Sequence, residues 1–274
     1  MSERTGARHD LRYDINLSML FTELPLLRRP AAARAAGFTA IEFWWPFTVA
    51  VPADAEVDAF VTAVNDAGVQ LVGLNFFAGD MPAGDRGLVS WVGRESEFRD
   101  SADVALGIAE RLGCRTFNAL YGNRLDGVEP AEQDELALST LDQLATAAAG
   151  QDGQVVLEPL SGAPRYPLLT AADALGVIDK VGRPNVTLLA DFYHLAVNGD
   201  DVAAVIAEHT GRIGHVQIAD APGRGEPGSG ELDLDGHLAA VEAAGYTGWV
   251  GIEYKPTSDS ETSLAWLPRE RRAA

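Results

Sequence analysis

The chain has 274 residues, a formal net charge of −19 from 40 acidic and 21 basic side chains, and one cysteine. Its 47% hydrophobic and 22% charged residues are typical of a globular protein and exclude a disordered or fibrous one. A sequence pI near 4.5 argues against extended contact with nucleic acid or an anionic membrane, because both need clustered cations. It does not exclude a small anionic substrate, since a local site can oppose the overall field. The lone cysteine excludes an intramolecular disulfide and a multi-thiolate zinc site.

The first twelve residues are polar and lack an apolar core, so they predict a flexible leader rather than a secretory signal. No segment approaches the ~20 apolar residues of a membrane span. We therefore expect a cytoplasmic protein in which residues 13–274 form one folded domain.

Short apolar runs alternate with longer amphipathic stretches along the chain. In the first half this pattern predicts strands at 13–20, 40–43, 69–75 and 116–120, and helices at 24–36, 54–67, 95–112 and 129–149. In the second half it predicts strands at 154–158, 186–191, 213–218 and 249–253, and helices at 171–181, 200–208, 234–244 and near Leu264.

Eight strand–helix units predict an α/β fold with parallel strands, closed into a single (β/α)8 barrel of typical size, about 250 residues. A doubly wound open sheet is the alternative, but no strand-to-helix turn carries the dinucleotide-binding pattern G-x-G-x-x-G. The nearest candidate, residues 223–228, contains Pro227 and does not join a strand to a helix.

Four consecutive predicted strands each end an apolar run with one oxygen-bearing side chain. These residues are Glu158, Asp191, Gln217 and Glu253, and they are separated by 33, 26 and 36 residues, about one strand–helix unit each. In a barrel they converge on the carboxyl rim, where active sites lie. Three carboxylates and a carboxamide form a hard, oxygen-rich site that suits a divalent ion, Mg²⁺ or Mn²⁺. Burying the carboxylates together without a cation would cost several kcal/mol. Any one of them alone is better explained as a helix cap or a salt-bridge partner.

Glu158 and Glu253 have a second use, because two carboxylates on opposite sides of a substrate can move a proton between neighbouring carbons. The spacing leaves open which of them is the acid, which is the base, and which serves mainly as a metal ligand.

Cations are few near this rim, so those present are candidates for binding an anionic substrate. Arg224 follows strand 7, Lys255 lies two residues after Glu253, and His194 lies one turn after Asp191. Arg86 and Arg94 lie in or just after the long loop at 76–93. Aromatic side chains after strands 2 and 3 could wall a dry pocket or an interface between copies of the chain, so a homo-oligomer stays open.

Nine segments of the chain resemble the hydroxypyruvate isomerase family. They are NLSMLF at 16–21, AGD at 78–80, AGDRG at 83–87, GRESEFRD at 93–100, LEP at 157–159, DFYH at 191–194, GHVQIAD at 214–220, RGEPGSGE at 224–231 and GWVGIEYKP at 248–256.

This resemblance covers about residues 13–268. It implies a TIM barrel of the xylose isomerase-like superfamily that interconverts hydroxypyruvate and 2-hydroxy-3-oxopropanoate (tartronate semialdehyde). It also implies that Glu158 and Glu253 are the proton donor and acceptor, and that they bind the metal together with Asp191 and Gln217.

Two departures bear on the substrate. Ketose 3-epimerases are similar but carry histidine where this chain has Gln217, which favours the isomerase. Leu160–Ser161–Gly162 also differs from the Ile-Asn sequence of the family, and the 2-oxo-tetronate isomerases share most of these motifs.

Our main hypothesis is therefore an isomerase of a small anionic hydroxy-oxo acid, acting by two-glutamate proton transfer through an enediolate with the help of a metal. The alternatives are a 2-oxo-tetronate isomerase, a metal-dependent ketose 3-epimerase, an enzyme acting on abasic DNA, which the net charge disfavours, and a barrel that binds without catalysis.

Overall fold

A computed structural model describes residues 9–273 of the chain. Eight parallel strands form a closed barrel in chain order, and the last strand pairs with the first. The strands are β1 (Arg12–Asn16), β2 (Ala40–Phe43), β3 (Gln70–Asn75), β4 (Thr116–Asn118), β5 (Gln154–Leu157), β6 (Val186–Asp191), β7 (Ile213–Ile218) and β8 (Trp249–Ile252). The predicted single (β/α)8 barrel is confirmed.

The helices lie between successive strands, except for the last, which follows β8, and all but this last helix contribute buried apolar side chains to a common core. They are α1 (Arg29–Ala36), α2 (Asp54–Ala67), α3 (Glu95–Leu112), α4 (Pro130–Ala149), α5 (Ala171–Val181), α6 (Phe192–Asn198), α7 (Val202–His209), α8 (Leu234–Ala243) and α9 (Ser260–Ser263). Within residues 9–273, no helix combines the length and apolar character needed to cross a bilayer.

Several element boundaries differ from the predictions by one or two residues, and three differences are larger or of another kind. The first strand ends at Asn16 rather than at residue 20, because the backbone N–H groups of Met19 and Leu20 donate to the Asn16 carbonyl and turn the chain. A 3-10 turn at Leu26–Arg28 precedes α1, so that helix starts later than predicted. The short helix α6 was not predicted at all.

Of the predicted leader, residues 1–8 lie outside the described residues. Residues 9–12 pack on the barrel: His9 is buried, the Asp10 N–H donates to Glu242 Oε1 (2.6 Å), and Arg12 begins β1. These four residues are therefore part of the folded domain.

The strand register brings the polar strand ends to one level of the barrel. Asn16 lies beside Glu42 across β1 and β2, Asp191 lies beside Gln217 across β6 and β7, and Gln217 lies beside Gly251 across β7 and β8. Side chains at this level therefore meet at the carboxyl end of the barrel, where chemistry is expected in this fold.

Candidate active site

A cavity of about 340 Å³ opens at the carboxyl ends of the strands. Its lining includes both predicted catalytic glutamates, Glu158 and Glu253, together with His194, Arg224 and Arg86. This volume suits a small molecule, and the lining brings acids and cations together in one buried place.

Glu158 follows the last residue of β5 and is only 4% exposed. Among the described residues one side-chain donor hydrogen-bonds to it: Asn118 Nδ2, at the end of β4, donates to Oε2 at 2.6 Å. Burial and then the neighbouring Asp191 raise the pKa of Glu158 to about 8. The group is thus poised to exchange a proton near neutral pH.

Asp191 uses its two carboxylate oxygens differently. Oδ1 accepts the backbone N–H groups of Tyr193 (2.8 Å) and His194 (3.4 Å) and so caps the start of α6. Oδ2 lies 3.6 Å from His194 Nε2 and 3.4 Å from Arg224 Nη2. Asp191 therefore caps a helix and at the same time belongs to the acidic site at the rim.

Glu253, 2% exposed, accepts three donors. Arg224 Nη2 lies 2.5 Å from Oε1, while Gln217 Nε2 (2.5 Å) and Asn16 Nδ2 (2.8 Å) donate to Oε2. Burial raises the pKa of Glu253, and the Arg224 guanidinium opposes that rise. These donors hold the carboxylate in one orientation towards the cavity.

Glu42 lies below this group inside the barrel. Its Oε1 accepts Asn16 Nδ2 (2.9 Å) and Gln217 Nε2 (2.8 Å), the same two amides that serve Glu253. Its Oε2 lies 2.7 Å from His215 Nε2. Although burial opposes it, His215 and these hydrogen bonds hold the pKa of Glu42 below its usual range. Glu42 therefore orients the two amides that hold Glu253.

His194 is held in one tautomer by the loop after β5. Its Nδ1 receives the backbone N–H of Ser161 at 2.9 Å, and the Ser161 hydroxyl lies 2.7 Å from the same atom. A backbone N–H can only donate, so Nδ1 accepts and the proton of the neutral ring is on Nε2. Burial lowers the pKa of His194 to about 4, so the ring is neutral near pH 7. Its Nε2–H lies on the side of Glu158 and Asp191.

The predicted cations separate into two groups. Arg224, with a positive φ of 59°, reaches Glu253 and Asp191 and lies over the Tyr193 ring at 5.4 Å. Arg86 also lines the cavity. In contrast, Arg94 forms ion pairs with Asp85 and Glu97, and Lys255 is exposed; neither is among the lining residues.

The oxygen donors fit a divalent ion. Glu158 and Asp191 offer carboxylate oxygens that lie within 4.8 Å of each other and of a ring nitrogen of His194. Because the Nε2 of His194 carries the ring proton, the two carboxylates are the ligands of this cluster and His194 is a neighbouring donor. Gln217 Oε1 is buried and has no hydrogen-bond partner within residues 9–273, which is the state expected of an amide oxygen left for a ligand. Glu253 is the least available of the four predicted ligands, because Arg224 contacts its outer oxygen. A second cluster of the same type, Asp14, Glu42 and His215, lies buried inside the barrel.

Asn118 and Ser161 contribute to the site and are absent from the prediction. Asn118 ends β4 as the acids end later strands, so the strand-end pattern could have indicated it. Ser161 acts largely through its backbone N–H, which every residue except proline carries, so its residue type gave no indication of this role.

Residues 30–270 match the family model described as the xylose isomerase-like TIM barrel. The chain belongs to this family. A Streptomyces coelicolor relative, provisionally named a hydroxypyruvate isomerase, is 54% identical over 97% of this chain and 98% of its own length. The hydroxypyruvate isomerase of Escherichia coli K12 is 36% identical over 94% of this chain and 98% of its own. These relatives confirm the resemblance drawn from the motifs and show that the chain is an isomerase enzyme of this family.

Two further matches concern the alternatives. A 2-oxo-tetronate isomerase of Cupriavidus necator is 35% identical over 93% of this chain and 97% of its own. A solved Brucella melitensis protein, described as an AP endonuclease of family 2, superposes with a TM-score of 0.85 at 36% identity, covering 94% of this chain and 98% of that one.

Proposed function

We propose that this isomerase interconverts hydroxypyruvate and 2-hydroxy-3-oxopropanoate. The observation that carries the proposal is that Glu158 and Glu253 both line one cavity together with His194 and Arg224. The named relatives support hydroxypyruvate as the substrate.

The reaction moves one proton between carbons and one between oxygens. One glutamate removes a proton from C3 of hydroxypyruvate, which gives an enediolate, and the other delivers a proton to C2. The Nε2–H of His194 donates to the C2 oxygen, which becomes a hydroxyl, and the same Nε2 takes up the C3 hydroxyl proton as that oxygen becomes the aldehyde, so the ring ends neutral. The two glutamates finish with their protonation states exchanged, and a proton that passes through solvent restores them. Arg224 offsets negative charge that develops beside Glu253.

Glu158, Asp191, Gln217 and Glu253 are the residues that would hold a divalent ion, with Mg²⁺ or Mn²⁺ suited to these donors. When bound, such an ion stabilises negative charge on the substrate oxygens as a Lewis acid.

Substitution of either glutamate tests the mechanism. We expect Glu158→Gln and Glu253→Gln each to lower kcat about 10²- to 10⁴-fold, because each removes one proton-transfer group. Circular dichroism and thermal unfolding check that the fold is kept. Glu208→Gln, at an exposed glutamate on α7, is the matched control and should leave kcat unchanged. Near wild-type turnover in either cavity variant would exclude the two-carboxylate mechanism.

The second candidate is a 2-oxo-tetronate isomerase, favoured by the Cupriavidus relative. Initial rates with hydroxypyruvate, a 2-oxo-tetronate and a free ketose, each with and without a chelator, decide between them. We expect the highest kcat/KM with hydroxypyruvate and a loss of rate with chelator that added Mg²⁺ or Mn²⁺ restores. A higher kcat/KM with the four-carbon acid would transfer the assignment to the second candidate.

A further inference from the structure

Arg86 brings a positive charge to the cavity wall that no carboxylate neutralises among the described residues. Its Nη1 donates to the backbone carbonyl oxygens of Met81 (3.0 Å) and Asp85 (2.6 Å), and both of these partners are uncharged. The guanidinium has five donors. Donors therefore remain for a ligand in the cavity that Arg86 lines.

The nearest acid in sequence, Asp85, is occupied elsewhere. Its Oδ2 accepts the Asp80 N–H at 2.8 Å and Arg94 Nη1 at 3.1 Å. Arg94 is fixed in turn by Glu97, at 2.7 Å. This arrangement keeps the Asp85 carboxylate from Arg86 and leaves the Arg86 charge unpaired.

Arg224, the other lining arginine, is already committed. One of its nitrogens contacts both Glu253 (2.5 Å) and Asp191 (3.4 Å), so its charge balances the acids of the site. Its Nε is buried without a hydrogen-bond partner among residues 9–273, but this donor belongs to the same guanidinium, whose charge those acids already offset. A substrate carboxylate placed beside these acids would be repelled. Of the two lining arginines, Arg86 is the one whose charge is available to an anionic group.

We propose that Arg86 forms a carboxylate subsite, which binds the acid end of a small 2-oxo acid and selects such acids over neutral ketoses. The inference deepens the proposed function and rests on it for the reaction, whereas the binding of a carboxylate can be measured without turnover. It assigns the substrate carboxylate to Arg86 rather than to Arg224 and Lys255, the first candidates from the sequence; the Lys255 side chain is exposed.

Calorimetric titration with D-glycerate, a non-reacting carboxylate of similar size, tests the subsite. We expect Arg86→Met to weaken binding about 30- to 100-fold, because hydrogen bonds between charged groups are among the strong ones. Arg86→Lys should recover part of this loss, since it keeps the charge without the two-pronged geometry. Lys255→Met is the matched control, a cation of the same rim outside the cavity, and should change binding less than twofold. No measurable binding of D-glycerate to the unchanged protein, or equal losses in Arg86→Met and Lys255→Met, would overturn the proposal.

Steady-state kinetics with an acidic and a neutral substrate distinguish a loss of carboxylate recognition by Arg86 from a structural disturbance of the loop that carries it. We expect the unchanged protein to isomerise neutral dihydroxyacetone slowly, since it has the same hydroxy-ketone group without the carboxylate. Arg86→Met should lower kcat/KM for hydroxypyruvate and leave this slower rate within a few-fold. A parallel loss with both substrates would mean that Arg86 supports the loop, and would also overturn the proposal. If the protein binds D-glycerate through Arg86 but does not isomerise hydroxypyruvate, the proposed function fails while the subsite stands.

Discussion

Glu158 and Glu253 are identical side chains in unlike surroundings. Glu158 has one side-chain donor, Asn118, and a carboxylate neighbour in Asp191. Glu253 has three donors, one of them a guanidinium. Such unequal environments separate the proton affinities of two acids, as proton exchange between neighbouring carbons requires.

The raised pKa of Glu158 predicts that the metal-free protein loses stability as the pH rises. Its pKa is about 8 when folded and 4.5 in the unfolded reference, so the folded state binds the proton more tightly. The resulting stabilisation is complete below pH 4.5 and disappears as the pH rises to about 8. His194, with a folded pKa of about 4, acts in the opposite direction only between about pH 4 and 6.5. Between pH 6.5 and 8 the Glu158 contribution should therefore lower the free energy of unfolding by up to about 1.4 kcal/mol per pH unit.

Urea unfolding of the chelated protein at pH 6.5 and 8.0 measures this decline. Glu158→Gln should make it shallower because the amide does not titrate, while Glu253 and Asp14, whose pKa values burial also raises, keep their own contributions. Glu208→Gln is again the control and should keep the full slope. An unchanged slope in Glu158→Gln would show that other groups cause the decline.

The strand-end acids could be predicted from the sequence because an apolar strand that ends in a carboxylate places it at the rim whatever the details of the loops. The loop cations could not be ranked in this way. Residues two apart point to the same side only within a strand, which is why Lys255 was expected beside Glu253. The strand β8 already ends at Ile252, so this rule does not apply to Lys255. The Lys255 backbone N–H donates to the Arg224 carbonyl instead, and the side chain is exposed.

At the scale of elements, the helix α6 shows how one residue serves both structure and site. Its seven residues are too few for a clear apolar period, so the sequence pattern did not indicate it. Its start depends on Asp191, and its first turn carries His194 into the cavity. The same carboxylate, that of Asp191, therefore starts α6 and sets the position of His194 in the cavity.

The loop between β3 and α3 is held against the barrel at Gly87, and this contact predicts an unequal response to two alanines. Gly87 has φ of +109°, and a Cβ there would lie 1.9 Å from the Leu120 carbonyl oxygen. Gly84, in the same loop, has φ of +110°, but no atom of the part of the chain that the structure describes lies within 4 Å of such a Cβ. Gly84→Ala should cost about 1 kcal/mol of stability through backbone strain alone, and Gly87→Ala clearly more, about 3 kcal/mol.

Urea unfolding midpoints of the two variants measure the difference, since the matched φ angles cancel the strain common to both. Equal losses would show that the loop moves away from Leu120 at little cost. The same displacement would be expected to disturb Arg86, which directly precedes Gly87.

For the whole molecule, the order of strands could be predicted because right-handed strand–helix–strand units of regular length place each strand beside the one before it. The sequence could not show which side chains would fill the barrel below the site. Asp14, Glu42 and His215 are polar residues on strands, a pattern equally compatible with a solvent-facing edge, and only closure of the sheet makes them interior.

The charge of the whole surface predicts that the protein does not bind abasic DNA. This prediction holds despite the similarity to a structure described as an AP endonuclease. Acids outnumber cations by 40 to 21, and aspartates take up many of the outer arginines. Such pairs join Arg111 to Asp58, Arg124 to Asp134, Arg165 to Asp126, Arg183 to Asp142 and Arg212 to Asp179.

A DNA-binding face needs several unpaired cations that displace counterions along the phosphate backbone, whereas a three-carbon acid needs only one or two. Fluorescence anisotropy with a labelled duplex that contains one abasic analogue measures binding. We expect none at about 10 µM protein in about 50 mM salt, although nonspecific complexes of DNA-binding proteins have dissociation constants on the order of 10⁻⁴–10⁻⁶ M. A duplex without the abasic analogue serves as the control. Binding to the abasic duplex that weakens steeply with added salt would contradict the prediction, because it would show that the protein has a cationic face that binds DNA.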